Sequence, residues 1–197
     1  MMDMESGVNA IRYVGIAEAA DKIRGADRIL VIGCSGGGKS TLSQKIARRF
    51  GLAYISIDRD VLWLPGWVQR ERQEQHRLLA EFAAGERWIM DGTNTSTFDI
   101  RVPRADLVIW VRMPRWLCIW GIVSRWITNR GRTRPEMAPG CVEKMEWQFF
   151  RFVWTWEKVY GPRVLAGLAA QAAGKPVLML KSRSEMRDLL DLVGADA

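Results

Sequence analysis

The segment Gly33-Cys34-Ser35-Gly36-Gly37-Gly38-Lys39-Ser40-Thr41 brings glycines, one cation and neighbouring hydroxyls into a single short loop. Glycine reaches backbone angles that other residues resist, so several N–H groups can turn inward around an anion. Lys39 adds a positive charge suited to the β- and γ-phosphates of a nucleotide, and the Ser40 hydroxyl suits Mg²⁺. The run matches the spacing GxxxxGK[ST] of a phosphate loop (P-loop). Gly33, Ser35, Gly36, Gly37, Gly38, Lys39, Ser40 and Thr41 are therefore candidate ligands of ATP or GTP, with Ser40 also a candidate metal ligand. A helix beginning near Lys39 would aim its positive end at the same phosphates.

Two carboxylates stand where apolar strands end. In Trp88-Ile89-Met90-Asp91-Gly92 a short strand delivers Asp91 beside a glycine. Asp91 is the candidate acid for ordering Mg²⁺, through water. The run Ala53 to Ile57 ends at Asp58, which could orient or deprotonate a substrate hydroxyl. Asp60 is its rival, and a turn or cap carboxylate is the plain structural alternative.

Arginines supply the remaining candidates. Arg101 and Arg104 follow a polar stretch after Asp91, and Arg101 could grip an anionic acceptor through paired hydrogen bonds. Arg125, Arg130, Arg132 and Arg134 surround the end of one predicted helix and the loop after it. Of these, Arg125, Arg130 and Arg134 are the catalytic candidates, for closing over a transferred phosphoryl group and stabilising its charge. A charge at a helix C-terminus is the alternative for each. Trp63 and Trp67 could stack on an acceptor ring or close a local hydrophobic cluster.

The elements that must position these groups alternate. Strands are predicted at Arg28 to Ile32, Ala53 to Ile57, Arg87 to Met90, Leu107 to Val111 and Pro176 to Leu180. Helices are predicted at Ser40 to Phe50, Gln69 to Ala84, Pro114 to Asn129 and Cys141 to Tyr160. A closing helix runs from Ser184, as its cap, to Val193. Alternation of this kind means a parallel sheet covered by helices, with ligands at the carboxyl ends of the strands. Residues 1–27 read as a loosely attached N-terminal extension, and residues 28–197 as one domain. In the helix after Cys141, Met145, Phe149, Phe152 and Trp156 share one face, and Trp147, Phe150 and Trp154 another. An element apolar on two faces should be largely buried.

Composition sets bounds on these readings. The 197 residues carry a net charge of +7, and arginine dominates 101–134, where Asp106 is the only acid. That bias attracts anions such as nucleotides or nucleic acid. Ten tryptophans are an unusual load, most of them between Trp110 and Trp156. The three cysteines show no CxxC spacing, which argues against a disulfide framework or zinc site and for a reducing, cytoplasmic compartment. No run is long and apolar enough for a spanning helix, and no membrane partner is expected.

The ordered motifs resemble the adenylate-kinase-like P-loop kinases, in which a strand ending in Asp-Gly follows the acceptor region. They are most similar to a bacterial group described as DNA topology modulation proteins. The matching pieces are Asp58, Trp63-Leu64-Pro65-Gly66-Trp67, Trp88-Ile89-Met90-Asp91-Gly92 and Arg132-Thr133-Arg134-Pro135, within residues 28–193. The resemblance implies a three-layer α/β fold with a five-stranded parallel sheet in the order 2-3-1-4-5. It also implies an acceptor-side segment near 59–86, a lid near 125–142, and ATP with Mg²⁺. Arg112 departs from that group, where many members carry an acid at the end of the fourth strand.

These observations point to a kinase that moves the γ-phosphoryl group of ATP to a small-molecule acceptor. A second reading is a regulator linked to DNA topology that binds or hydrolyses ATP, and a third is a nucleotide-dependent interaction module. No recognition helix or zinc pattern supports nucleic-acid binding. Neither the acceptor nor an oligomeric state can be read from the residues.

Overall fold

A computed structural model describes residues 11–144 and 146–195. The sheet nucleates on runs that are apolar at every position. Strand β2 (Arg28–Gly33), β6 (Trp88–Asp91) and β7 (Leu107–Val111) are buried along almost their whole length. Strands covered on both faces read as continuous apolar runs, and such strands pair in parallel. β3 (Ala53–Ser56), β8 (Pro176–Leu180) and β1 (Arg12–Val14) complete a six-stranded parallel sheet in the order β1-β8-β7-β2-β6-β3.

The sheet therefore has six strands, not the expected five, and its order is extended at one edge. Arg12, Tyr13 and Val14 pair with Pro176, Val177 and Leu178. Helix α1 (Ile16–Gly25) then buries Ala19, Ala20 and Ile23 and packs on α8 (Arg183–Leu192). Residues 12–25 are thus part of the fold rather than a loose extension. A strand this short carries no periodic signal, so its pairing could not be read locally. Residues 1–10 lie outside the described residues.

Three predicted helices change at their starts. The helix expected from Gln69 begins at Arg72, as α3 (Arg72–Ala84). The residues before it form a hairpin of β4 (Trp63–Leu64) and β5 (Val68–Gln69), which turns through Gly66 and a left-handed Trp67, φ 64°. The helix expected from Cys141 begins at Trp147, as α6 (Trp147–Val159). Before it, Val142 and Glu143 bridge to Thr133 and Arg130. The closing helix is capped by Ser182, not Ser184, because Ser182 Oγ accepts the Glu185 N–H at 3.1 Å. A further helix, α7 (Gly161–Gln171), opens with Pro162 in its first turn. The chain order is completed by α2 (Lys39–Phe50), α4 (Phe98–Arg101) and α5 (Arg115–Thr128).

Helix α6 is not buried on two faces. Val153 and Trp156 are buried, but Trp147 is 75% exposed and Trp154 48%. Met145, assigned to the inner face, lies outside the described residues. Trp147, Phe150 and Trp154 stack along the outer side, with centroids 5.4 and 6.2 Å apart. Among the described residues, no helix is long and apolar enough to cross a membrane.

If α1 is integral, truncating its innermost side chain must destabilise the whole molecule. Ile23→Ala should lower the free energy of urea unfolding by about 2–4 kcal/mol, the usual range for a buried aliphatic truncation. An unchanged midpoint would mean that α1 is dispensable.

Candidate active site

The phosphate loop sits at the carboxyl end of β2 and runs into α2. Close backbone approach fixes its shape. Gly36 adopts φ 77°, and a Cβ there would lie 2.1 Å from the Cys118 carbonyl oxygen. Gly121 of α5 faces the same loop, where a Cβ would lie 2.1 Å from Gly36 O. Helix α5 is thus pressed against the loop at a distance only glycine permits. Thr93 clamps the loop's start: its hydroxyl accepts Gly33 N–H at 2.9 Å and donates to Gly33 O at 2.8 Å. Lys39 Nζ donates to the Cys34 carbonyl at 3.0 Å, so its ammonium is held over the loop.

Asp91 lies beside this loop, nearly fully buried. Tyr54 donates its hydroxyl to Oδ2 at 3.3 Å, while Oδ1 has no hydrogen-bond partner. Burial raises the carboxyl pKa; Lys39 and the Ser40 hydroxyl pull it back down, and the charge of Asp58 raises it further. The Tyr54 phenol is raised too, by burial and then by the charge of Asp91. A buried oxygen without a donor is costly unless a cation completes it. The chemistry of the site therefore fits Mg²⁺: a serine hydroxyl, a buried carboxylate and a lysine converge where phosphates would lie.

Asp58 and Asp60 have separate roles. Asp60 accepts Ser56 N–H at 2.9 Å and pairs with both Arg59 Nε and Nη2, at 2.7 and 2.8 Å. It is occupied in stabilising the turn Ile57–Leu62. Asp58 lines the open cleft, and no hydrogen-bond partner for its carboxylate is found among the described residues.

Two of the arginines depart from expectation. Arg101 is fully buried and does not face the cleft. Its guanidinium donates to Thr97 Oγ1 at 3.0 Å and to the carbonyls of Gly92, Thr93 and Asn94, each at 2.8 Å. The fork that suits a carboxylate suits three converging carbonyls equally well. Arg101 therefore shapes the loop that carries Thr93 instead of binding substrate. Burial pushes its pKa down to about 9, which leaves it charged at neutral pH. Arg130 is exposed, stacked on Trp126 at 5.5 Å, and does not line the cleft. Arg112 pairs with Glu157 and lies over Trp110 at 4.9 Å.

Arg125 and Arg134 do line the cleft, and Glu143 holds both. Arg125 Nε meets Oε1 at 2.8 Å and Arg134 Nε meets Oε2 at 2.7 Å. Desolvation, then the neighbouring Arg134, lowers the pKa of Arg125, while Glu143 opposes both. Nothing in the sequence marked Glu143, because its partners are 18 and 9 residues away. Glu136 was missed likewise; it accepts from Gln44 of α2 at 2.7 Å and so ties the loop after α5 to that helix. So was Arg183, which reaches Gly36 O at 3.3 Å from the first turn of α8. Trp63 and Trp67 meet edge to face and pack against Met137, Ala138 and Cys141, so they belong to a hydrophobic cluster between the hairpin and the loop that follows α5.

The loop, both carboxylates, Arg125 and Arg134 share one cleft of about 1140 Å³. Arg70, Arg72 and Gln75 line the same cleft.

Neither a protein-family model nor a curated protein matches the chain. Among solved structures, it is similar to a shikimate kinase from Acinetobacter baumannii in complex with shikimate. The TM-score is 0.54 at 14% identity, covering 87% of this chain and 93% of that one. A deoxyadenosine kinase from M. mycoides with bound dCTP gives a TM-score of 0.43 at 12% identity, covering 85% and 98%. The first likeness shows the fold, an α/β P-loop fold built on a parallel sheet. Membership of the DNA topology modulation group is not shown by these comparisons.

The raised pKa of Asp91 has a pH signature. Its folded-state value lies above the unfolded one, so its stabilising contribution is complete below the unfolded pKa and is lost as pH rises through the folded pKa. Asp91→Asn removes that loss. In urea unfolding without nucleotide, the variant should be more stable than the parent at pH 7, with the gap closing as pH falls through the carboxylate range. A variant less stable at pH 7 would show that the ionised carboxylate is already satisfied.

Proposed function

We propose that the chain is a Mg²⁺-dependent kinase that transfers the γ-phosphoryl group of ATP to a hydroxyl of a small-molecule acceptor. The observation that carries this reading is the pair of carboxylates in one cleft. Asp91 is buried against Lys39 and Ser40, and Asp58 lines the same cleft with no hydrogen-bond partner for its carboxylate among the described residues. The two environments suit two tasks, cation binding and proton acceptance. The P-loop fold shared with a shikimate kinase supports the same class of chemistry. The nucleotide is taken as ATP on the motif resemblance.

In this reading the amides of Gly33 to Thr41 and the Lys39 ammonium hold the triphosphate. Ser40 and Asp91 would hold Mg²⁺, which neutralises phosphate charge when bound. Asp58 orients the acceptor hydroxyl and takes its proton as the new O–P bond forms. The bond from the γ-phosphorus to the β,γ-bridging oxygen breaks, and ADP leaves. Arg125 and Arg134 stabilise the charge on the moving phosphoryl group. Glu143 presets their geometry, so less ordering is left for the moment of reaction.

ATP consumption measured against a panel of hydroxylated metabolites tests the proposal. One acceptor class should stimulate ADP formation. Lys39→Ala should reduce that turnover by about 10²–10³-fold, the usual effect of removing a charge-stabilising group. Asp58→Asn should lower kcat and leave the KM for ATP unchanged. Hydrolysis at the same rate with every compound, or full turnover by the Lys39 variant, would contradict acceptor phosphorylation.

A further inference from the structure

A second cavity, of about 560 Å³, lies behind the phosphate loop. This falls within the roughly 300–1,000 Å³ common for small-molecule sites. Cys34, Met113 and Cys118 form its buried floor, and Trp116, Trp154 and Trp156 its walls. Two of those walls stand unusually open, Trp116 at 67% and Trp154 at 48% exposure.

The charges around the mouth do not balance. Glu157 is matched by Arg112, with Nε to Oε1 at 2.8 Å. Arg115 lies over the Trp154 ring at 4.8 Å and has no ion-pair partner among the described residues. Lys181 also lines the mouth with its ammonium unpaired among them. Two free cations therefore flank an apolar slot. A compact polyanion such as pyrophosphate would leave the tryptophans uncovered, and a neutral apolar molecule would leave the cations unmatched.

We propose that this cavity binds an amphiphilic monoanion: one carboxylate or similar head on a single extended apolar body. The body lies against Trp116 and Trp154, and the head sits between Arg115 and Lys181. The proposal rests on this cavity alone and stands apart from the kinase reading. The two clefts adjoin, since Cys34 forms the floor here and accepts the Lys39 ammonium on its carbonyl.

Decanoate below its micelle concentration serves as the probe, with tryptophan fluorescence and calorimetry as readouts. Decanol and phosphatidylglycerol vesicles separate charge and lipid source. Decanoate should bind saturably at one per chain, and decanol about tenfold more weakly, the loss of a charge-assisted contact. Trp154→Ala, and separately Arg115→Gln with Lys181→Gln, should each weaken decanoate by about tenfold. All three side chains are solvent-exposed, so the variants should keep the parent's far-ultraviolet circular dichroism. Three results would overturn the proposal: no saturable binding, equal affinity for decanol and decanoate with no effect of the variants, or binding to vesicles alone. The last would place a bilayer on the exposed helices instead of a ligand in the cavity.

Discussion

Asp91 carries a carboxylate into the interior with one oxygen unanswered, and much of the surrounding structure follows from that placement. β6 is buried at each of its positions, and its last residue keeps only 5% exposure where it lines the cleft. Tyr54 meets one oxygen, and Lys39 and the Ser40 hydroxyl offset the charge further. A protein gains nothing in stability from such an arrangement. Under the proposed function it gains a place where a cation and a polyphosphate would complete what the chain leaves incomplete.

The same constraint explains the stiffness of the neighbourhood. The phosphate loop must keep its amides aimed at one point, and three contacts hold it there. Thr93 clamps its entry, Gly121 of α5 closes on Gly36, and Arg183 reaches the same glycine from α8. Thr93 is itself held by Arg101, whose guanidinium gathers the carbonyls of the following loop. The lid is braced as firmly. Glu143 joins two arginines that would otherwise repel, and Glu136 anchors the lid to α2. The loop side of the cleft is therefore held by hydrogen bonds and close packing, while no partner for the Asp58 carboxylate is found among the described residues.

The loop and the central strands were legible because their signals are local. A glycine-rich turn between an apolar run and a helix specifies itself, and fully buried strands read as unbroken apolar runs. The edge strand Arg12–Val14 was not legible, since its identity lies in pairing with β8, more than 160 residues away. Arg101 was misread for a chemical reason: a fork of donors fits backbone carbonyls as well as a substrate carboxylate. Asp58 and Asp60 could not be separated, because only the folded turn shows which one Arg59 occupies. The tryptophans were read as buried through α6, yet Trp147 and Trp154 face outward, so apolar periodicity fixed a helix and not its partner.

Asp91, Ser40 and Lys39 make up the proposed site for a metal-bound triphosphate. Calorimetric titration of ATP, with and without Mg²⁺, tests it most directly. The account predicts one ATP per chain, bound at least about tenfold more tightly with Mg²⁺, a difference of about 1.4 kcal/mol. Equal affinity with and without the metal, or no ATP binding at all, would contradict it.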